Sequence, residues 1–153
     1  MAKTPAIAAA EQAGVTFRVH ELEHDPGAPS YGLEAADKLG VDSARVYKTL
    51  VVDVGGRPHV AVVPVETELD LRALGKRATM AKPADAERIT GYVTGGISPL
   101  GQRRRLPTLL DESVLLFDTV FVSAGRRGLE IELTPADLIA LTGASTHPIA
   151  RAP

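Results

Sequence analysis

Two short stretches of the chain carry residue types that could do chemistry. In "VYKTLVV", Lys48 begins the most apolar strand-like run of the sequence. In "TGGISPLGQRRR", Thr94 to Arg105, a double glycine (Gly95, Gly96) is followed by Ser98-Pro99 and by three arginines, Arg103, Arg104 and Arg105. A lysine at a strand end usually lays its stem along the sheet and sends its ammonium to water. The other reading is an ammonium partly withdrawn from water in a cleft, where it would stabilise negative charge on a carbonyl or phosphate oxygen. The double glycine is likewise open to two readings. It is a tight turn, or a stretch of bare main chain that a ligand can approach with no Cβ in the way, its N–H groups aimed at one oxyanion.

Several common chemistries are excluded by spacing. No G-x-G occurs, so a dinucleotide fingerprint is absent, and Gly75-Lys76 lacks both the preceding glycine and the following Ser/Thr of a phosphate loop. Gly96-Ile97-Ser98-Pro99-Leu100 puts leucine where a nucleophile elbow needs its second glycine, and Ser123 has Gly125 after it but Phe121 before it. His20 and His24 have the spacing of paired metal ligands on a helix, but His20 falls in a predicted strand and His24 just before Asp25-Pro26. His59 and His147 have no ligand-type neighbours in sequence. With no cysteine in the chain, a thiol can enter the chemistry only from a substrate.

A chain of 153 residues predicts one domain, burying roughly 70% of its unfolded surface. Only 4% of residues are aromatic, so Val, Leu, Ile and Ala must fill the core. The apolar run near the N-terminus breaks at Glu11-Gln12, and no other run approaches a membrane span, which predicts a cytoplasmic protein without a membrane partner. A net charge of −2 gives no global attraction to nucleic acid, although Arg103–Arg105, Lys76-Arg77 and Arg126-Arg127 would form a basic patch if the fold gathered them.

The elements that must hold these residues interleave helices and strands. Thr4-Pro5 opens a helix over Pro5 to Ala13, stopped by Gly14; Thr134-Pro135 opens another to Leu141, stopped by Gly143. Further helices are predicted at Tyr31 to Leu39, capped by Ser30, around Leu71 to Leu74, and from Pro83 to Arg88. "VTFRVHEL" alternates as a half-buried strand, and "HDPGAPS" after it is a turn. "VYKTLVVDV" and "HVAVVPV" about "GGRP" predict an antiparallel hairpin. "PTLLDES", "DTVFVSAG" and "LEIEL" add strands, and "THPIARAP" a short last one. The expected class is α/β (α+β), one domain with a mixed, mostly antiparallel sheet.

Six motifs in order, "EHDP", "VYKTLVV", "LDLRALGKR", "TGY…GGISPLGQRRRLPT", "VSAGRRGLEIEL" and "DLIALTGA", resemble the bacterial YbaK (EbsC) family of aminoacyl-tRNA deacylases, related to the editing domain of bacterial prolyl-tRNA synthetases. The resemblance runs from about residue 5 to 150. It implies a mixed sheet curled toward a barrel and flanked by helices, no metal and no cofactor. It implies removal of cysteine from Cys-tRNA(Pro), and in some contexts Cys-tRNA(Cys), in trans and beside prolyl-tRNA synthetase. Lys48, Gly95 and Gly96 match the family's catalytic positions. Tyr31, Thr49, Ser98, Pro99 and Glu130 match substrate-binding positions, and Arg103, Arg104, Arg105, Arg126 and Arg127 are candidates to touch tRNA. One position departs: Leu22 stands where several relatives have tyrosine.

The implied mechanism needs no enzyme nucleophile. The thiol of a cysteinyl ester attacks its own carbonyl, closing a thiolactone and expelling the ribose hydroxyl, and holding that near-attack geometry contributes about 7–11 kcal/mol. Two alternatives stand beside it: the same fold acting on Ala-tRNA(Pro) with water as nucleophile, and a non-catalytic module that binds tRNA or a synthetase.

Overall fold

The computed structural model describes residues 3–23 and 31–153, with the side chain of Tyr31 outside the description. The predicted "HDPGAPS" turn, His24 and the Ser30 cap all lie outside the described residues. Proline-opened helices end at left-handed glycines, as the sequence predicts. Helix α1 (Pro5–Ala13) is capped by the Thr4 side chain and ends at Gly14, φ 70°. The Thr4 hydroxyl also donates to the Ala124 carbonyl, so the cap ties α1 to the sheet. Helices α2 (Tyr31–Leu39), α3 (Pro83–Thr90, ending at Gly91) and α4 (Pro135–Thr142, ending at Gly143) complete the set among the described residues.

The strands are β1 (Arg18–Glu21), β2 (Tyr47–Val54), β3 (Arg57–Pro64), β4 (Glu68–Leu69), β5 (Ala78–Met80), β6 (Thr108–Asp111), β7 (Val120–Arg126), β8 (Leu129–Leu133), β9 (Ser145–His147) and β10 (Ala150–Arg151). They form a three-stranded sheet in the order β1-β8-β7, a five-stranded sheet in the order β5-β2-β3-β6-β9, and a β10-β4 pair. Only β3-β6 and β6-β9 run parallel within these sheets. A single parallel bridge, Val46 to Phe121, joins the start of β2 to β7. The mixed α/β fold is thus a curled pair of sheets flanked by helices rather than a closed barrel.

Three local expectations are adjusted. The β2–β3 turn is Gly55-Gly56 alone, both at positive φ (59° and 89°), and the two-residue loop leaves Arg57 and Pro58 inside β3. The strand predicted over "VTFRVHEL" forms only at Arg18–Glu21, because β8 pairs with those four residues; Val15 and Phe17 pack against the core without a ladder. Leu71–Leu74 is a single 3-10 turn capped by Asp70. Strands β4 and β5 have two and three residues, too few for a period to register in sequence.

The main core, including Val60, Val62, Leu110, Val122 and Ile131, lies between the two larger sheets and under α1 and α4. A smaller cluster, Ala35, Ala36, Val46, Val65 and Phe121, seats α2 over the junction of the sheets. Gly32 permits that seating, since a Cβ there would lie 2.3 Å from Val65 Cγ1. Among the described residues no helix is long and apolar enough to cross a membrane.

Candidate active site

A cavity of about 410 Å³ opens where β2 and β7 part beyond the Val46–Phe121 bridge. The β2 residues Lys48 to Val51 form one wall, and Ser123, Gly128 and Glu130 of the three-stranded sheet form the opposite one. Helix α2 contributes Glu34 and Ala35, α3 contributes Ala86, and the loop after α3 contributes Thr94 and Gly95. Strand β5 pairs β2 only at Val52 to Val54, so the first half of β2 presents an open edge to this space. On that edge the Val51 carbonyl accepts from Ala81 N–H at 3.0 Å, and the two-residue period turns the Thr49 main chain to the same side.

Lys48 takes the second of the two readings its sequence left open: it is half-buried and lines the cavity. Its Nζ donates to the Thr67 carbonyl at 2.7 Å, which leaves two ammonium protons for other partners. Burial holds its pKa below the ordinary lysine value, opposed by the Glu68 carboxylate. The hydroxyl of the neighbouring Thr49 is buried and has no hydrogen-bond partner. Buried hydroxyls are nearly always paired, which sets this one apart on the cavity wall.

The two glycines of the opening segment separate in role. Gly95, at φ 90°, lines the cavity. Gly96 instead lies against the β7–β8 turn, where a Cβ would stand 2.6 Å from Arg126 Cα and 2.9 Å from Arg127 N, so its bare backbone serves close packing. The turn is pinned on both sides: Arg127 donates to the Thr94 carbonyl at 3.0 Å, and Thr94 N–H donates to Glu87 at 2.7 Å. Ser98 is fully buried, its hydroxyl accepting from Leu100 N–H at 3.2 Å, and Pro99 is buried beside it; neither is among the residues lining the cavity.

Glu130 is 8% exposed on the cavity wall. Among the described residues no hydrogen bond or ion pair reaches it, and burial pushes its carboxyl up to about 8, so near neutral pH it carries a proton. Two residues along β8, Glu132 accepts from Thr119 at 2.6 Å and pairs with His20 at 3.0 Å, while Arg45 stands 3.8 Å away. Its partial burial acts upward, but these bonds and charges together hold its carboxyl below the ordinary value. Tyr31 has its backbone in α2, with its side chain outside the described residues. Leu22, at the position where relatives have tyrosine, lines the cavity and supplies apolar surface there.

The arginines contact different parts of the fold. Arg126 pairs with Glu21 at 3.0 Å, and Arg103 lies against the end of α3, near the Arg88 carbonyl. Arg105 lies over Gly143 at the end of α4, where a cation meets the negative end of the helix dipole. Arg104 is exposed, with no ion pair to a described residue. Sequence reasoning passed over Ser123 as a cavity residue and missed Glu34; the facing of Ser123 and Glu130 depends on the β7–β8 register, which no local pattern states. A Ser–His pair, Ser145 to His147 at 2.9 Å, borders a different cavity between β3, β6 and β9. Both are exposed, and no carboxylate among the described residues orients His147, so the pair lacks the third member a serine nucleophile needs. Among the described residues no group of three or more potential ligands could hold a metal.

An ammonium, a glycine turn and an open strand edge thus border one cavity, which among the described residues holds no serine or histidine pair arranged as a nucleophile. Residues 25–141 match the aminoacyl-tRNA editing domain family, and the chain belongs to it. Its substrates are aminoacyl-tRNAs and its activity is their deacylation. The chain is 38% identical over 147 residues, 92% of its length and 88% of the relative's, to EbsC of Enterococcus faecalis, whose name proposes a Cys-tRNA(Pro)/Cys-tRNA(Cys) deacylase. It is 30% identical over 144 residues, 87% of this chain and 83% of the other, to the multifunctional Ser/Thr-tRNA deacylase ProXp-y of Escherichia coli. A crystal structure described as a candidate trans-editing enzyme for prolyl-tRNA synthetase superposes with a TM-score of 0.85 at 29% identity, covering 97% of this chain and 96% of that one.

Proposed function

We propose that this protein clears cysteine from mischarged Cys-tRNA(Pro), acting in trans in the cytoplasm beside prolyl-tRNA synthetase, with the substrate's thiol as nucleophile. The observation that carries this reading is the cavity itself: Lys48 and Gly95 border a space that holds no cysteine and no activated serine. The substrate thiol attacks the ester carbonyl carbon, the carbonyl electrons move to oxygen, and Lys48 with the exposed backbone stabilises that oxyanion. Collapse forms the thiolactone C–S bond and breaks the C–O bond; the ribose oxygen leaves and takes up a proton. Thr49, Glu130 and Tyr31 hold the aminoacyl group, and Gly96, Ser98 and Pro99 keep the loop in shape. Arg103, Arg104, Arg105, Arg126 and Arg127 meet the acceptor end of the tRNA.

The test is deacylation of Cys-, Ala-, Ser-, Thr- and Pro-tRNA(Pro) by the wild type and Lys48→Ala. The expected result is fast release from Cys-tRNA(Pro), weak release from Ser-tRNA(Pro), and a roughly 10²–10³-fold loss of kcat in the variant, as for removal of one oxyanion donor. Unchanged kcat in Lys48→Ala would remove the lysine from the mechanism. The orphan Thr49 hydroxyl favours a second reading, in which a hydroxyl side chain is accepted and water attacks. Equal rates on Ser- and Cys-tRNA(Pro) would select it.

A further inference from the structure

Two carboxyl groups line the cavity, and they differ in what faces them. Glu34 on α2 has Lys38 one helical turn away, at 4.0 Å. Glu130 has no counter-ion among the described residues. The groups around it are engaged elsewhere: His20, opposite it on β1, is turned to Glu132 at 3.0 Å, and Ser123, opposite it on β7, accepts from Gly125 N–H at 3.2 Å. Lys48, across the cavity, donates to Thr67 and has Glu68 as its charged neighbour. A carboxyl 8% exposed, facing a cavity and bonded to none of the described residues, is half of an ion pair that a ligand can complete.

The substrate class supplies that half. An aminoacyl ester carries a free ammonium one carbon from the carbonyl that reacts, whereas an ester whose nitrogen already lies in a peptide bond carries none. We infer that Glu130 receives the α-ammonium of the aminoacyl ester, so that this enzyme reads a free amino group and spares esters in which it is blocked or missing. The inference rests on the deacylase reading and adds a selectivity to it: peptidyl-tRNA, with a neutral amide in place of the ammonium, is rejected.

The protons balance as follows. Empty Glu130 holds a proton near neutrality, and the ammonium arrives with its own; the pair keeps one, as carboxylate against ammonium, and the other leaves to water. Binding therefore releases one proton, and KM falls as pH rises toward the ordinary α-amino pKa of about 7.7–8.0, by at most tenfold per unit.

The experiment compares Cys-tRNA(Pro) with 3-mercaptopropionyl-tRNA(Pro), which keeps the thiol and lacks the amino group, each rate divided by spontaneous hydrolysis of the same ester. For the wild type the expected preference for the amino form is roughly 10- to 100-fold in kcat/KM, the range of one charge-assisted hydrogen bond. In Glu130→Gln the preference falls toward one, chiefly through a higher KM for Cys-tRNA(Pro), and the fall of KM with pH disappears; Glu130→Asp keeps most of both. Equal normalised rates for the two esters in the wild type would overturn the inference while leaving the deacylase reading intact. An equal slowing of both esters by Glu130→Gln would overturn it too, making the residue a proton donor to the leaving oxygen. Cleavage of neither ester by the wild type would overturn the deacylase reading, and this inference with it.

Discussion

Glu130 and Glu132 lie two residues apart on one strand and on one face of one sheet, yet folding treats them oppositely. Glu132 sits in a complete network: His20 and Thr119 bond it, and Arg45 approaches it while lying 5.1 Å over the Phe121 ring. Glu130 sits at the cavity end of the same face with none of the described residues bonded to it. One carboxyl is held below the ordinary range by its partners and the other is raised to about 8 by burial alone. A side chain that is buried and left unpaired weakens the fold, and such a residue is expected where a ligand completes it.

The contrast is tested first through stability, where it has opposite signs. Between pH 4.5 and 8 an unfolded chain has residue 130 ionised while the folded chain keeps it protonated. The unfolded state binds fewer protons, so the wild type loses stability as pH rises, at up to about 1.4 kcal/mol per unit. Glu130→Gln escapes this loss. Its advantage over the wild type should grow by roughly 3 kcal/mol from pH 4.5 to pH 7, readable in urea titrations at each pH, and an advantage independent of pH would refute the burial of an unpaired acid.

At the other end the sign reverses. Glu132 is depressed, so it contributes stability above the ordinary carboxylate range that disappears as pH falls through its folded value. Glu132→Gln should lower stability by about 1–2 kcal/mol at pH 7 and much less near pH 3. Measured as differences from the wild type, the two variants should diverge as pH rises, Glu130→Gln gaining and Glu132→Gln losing stability.

A smaller effect is expected at Thr49, the second orphan of the cavity. Thr49→Val removes a buried hydroxyl with no partner, which should raise stability by about 1 kcal/mol or less while lowering deacylation. A gain in stability with full activity would show that the hydroxyl meets no substrate atom. Smallest of all, Arg104→Ala should leave the urea midpoint unchanged, since Arg104 is exposed. If it meets a phosphate, the slope of log K against log salt for tRNA binding should become shallower by about one.

How much of this was legible in the sequence varies from residue to residue. "LEIEL" announced by strict alternation that Glu130 and Glu132 share a face, and the "VYKTLVV" alternation set Lys48 against Tyr47, which is buried in the core. The resemblance pointed to Lys48 and Gly95, both of which border the cavity, and also to Gly96, whose neighbours turn out to be the backbone of Arg126 and Arg127. Whether the basic clusters share a face was left to the fold, because adjacency in sequence says nothing of the two helix ends toward which Arg103 and Arg105 turn.

By itself the sequence determined the helices that open at Thr-Pro and close at glycine, the Gly-Gly hairpin, the alternating strands and the family. Those follow from backbone geometry and side-chain period, which act over a few neighbouring residues. Which acid is paired and which is left empty was decided only in the tertiary structure. His20 reaches Glu132 across 112 residues of chain, and no local rule specifies the bond partners of a carboxyl when those partners come from other strands. The same holds for the double glycine: its conformational freedom was evident from composition, but only packing assigned Gly95 to the cavity and Gly96 to the loop that closes it.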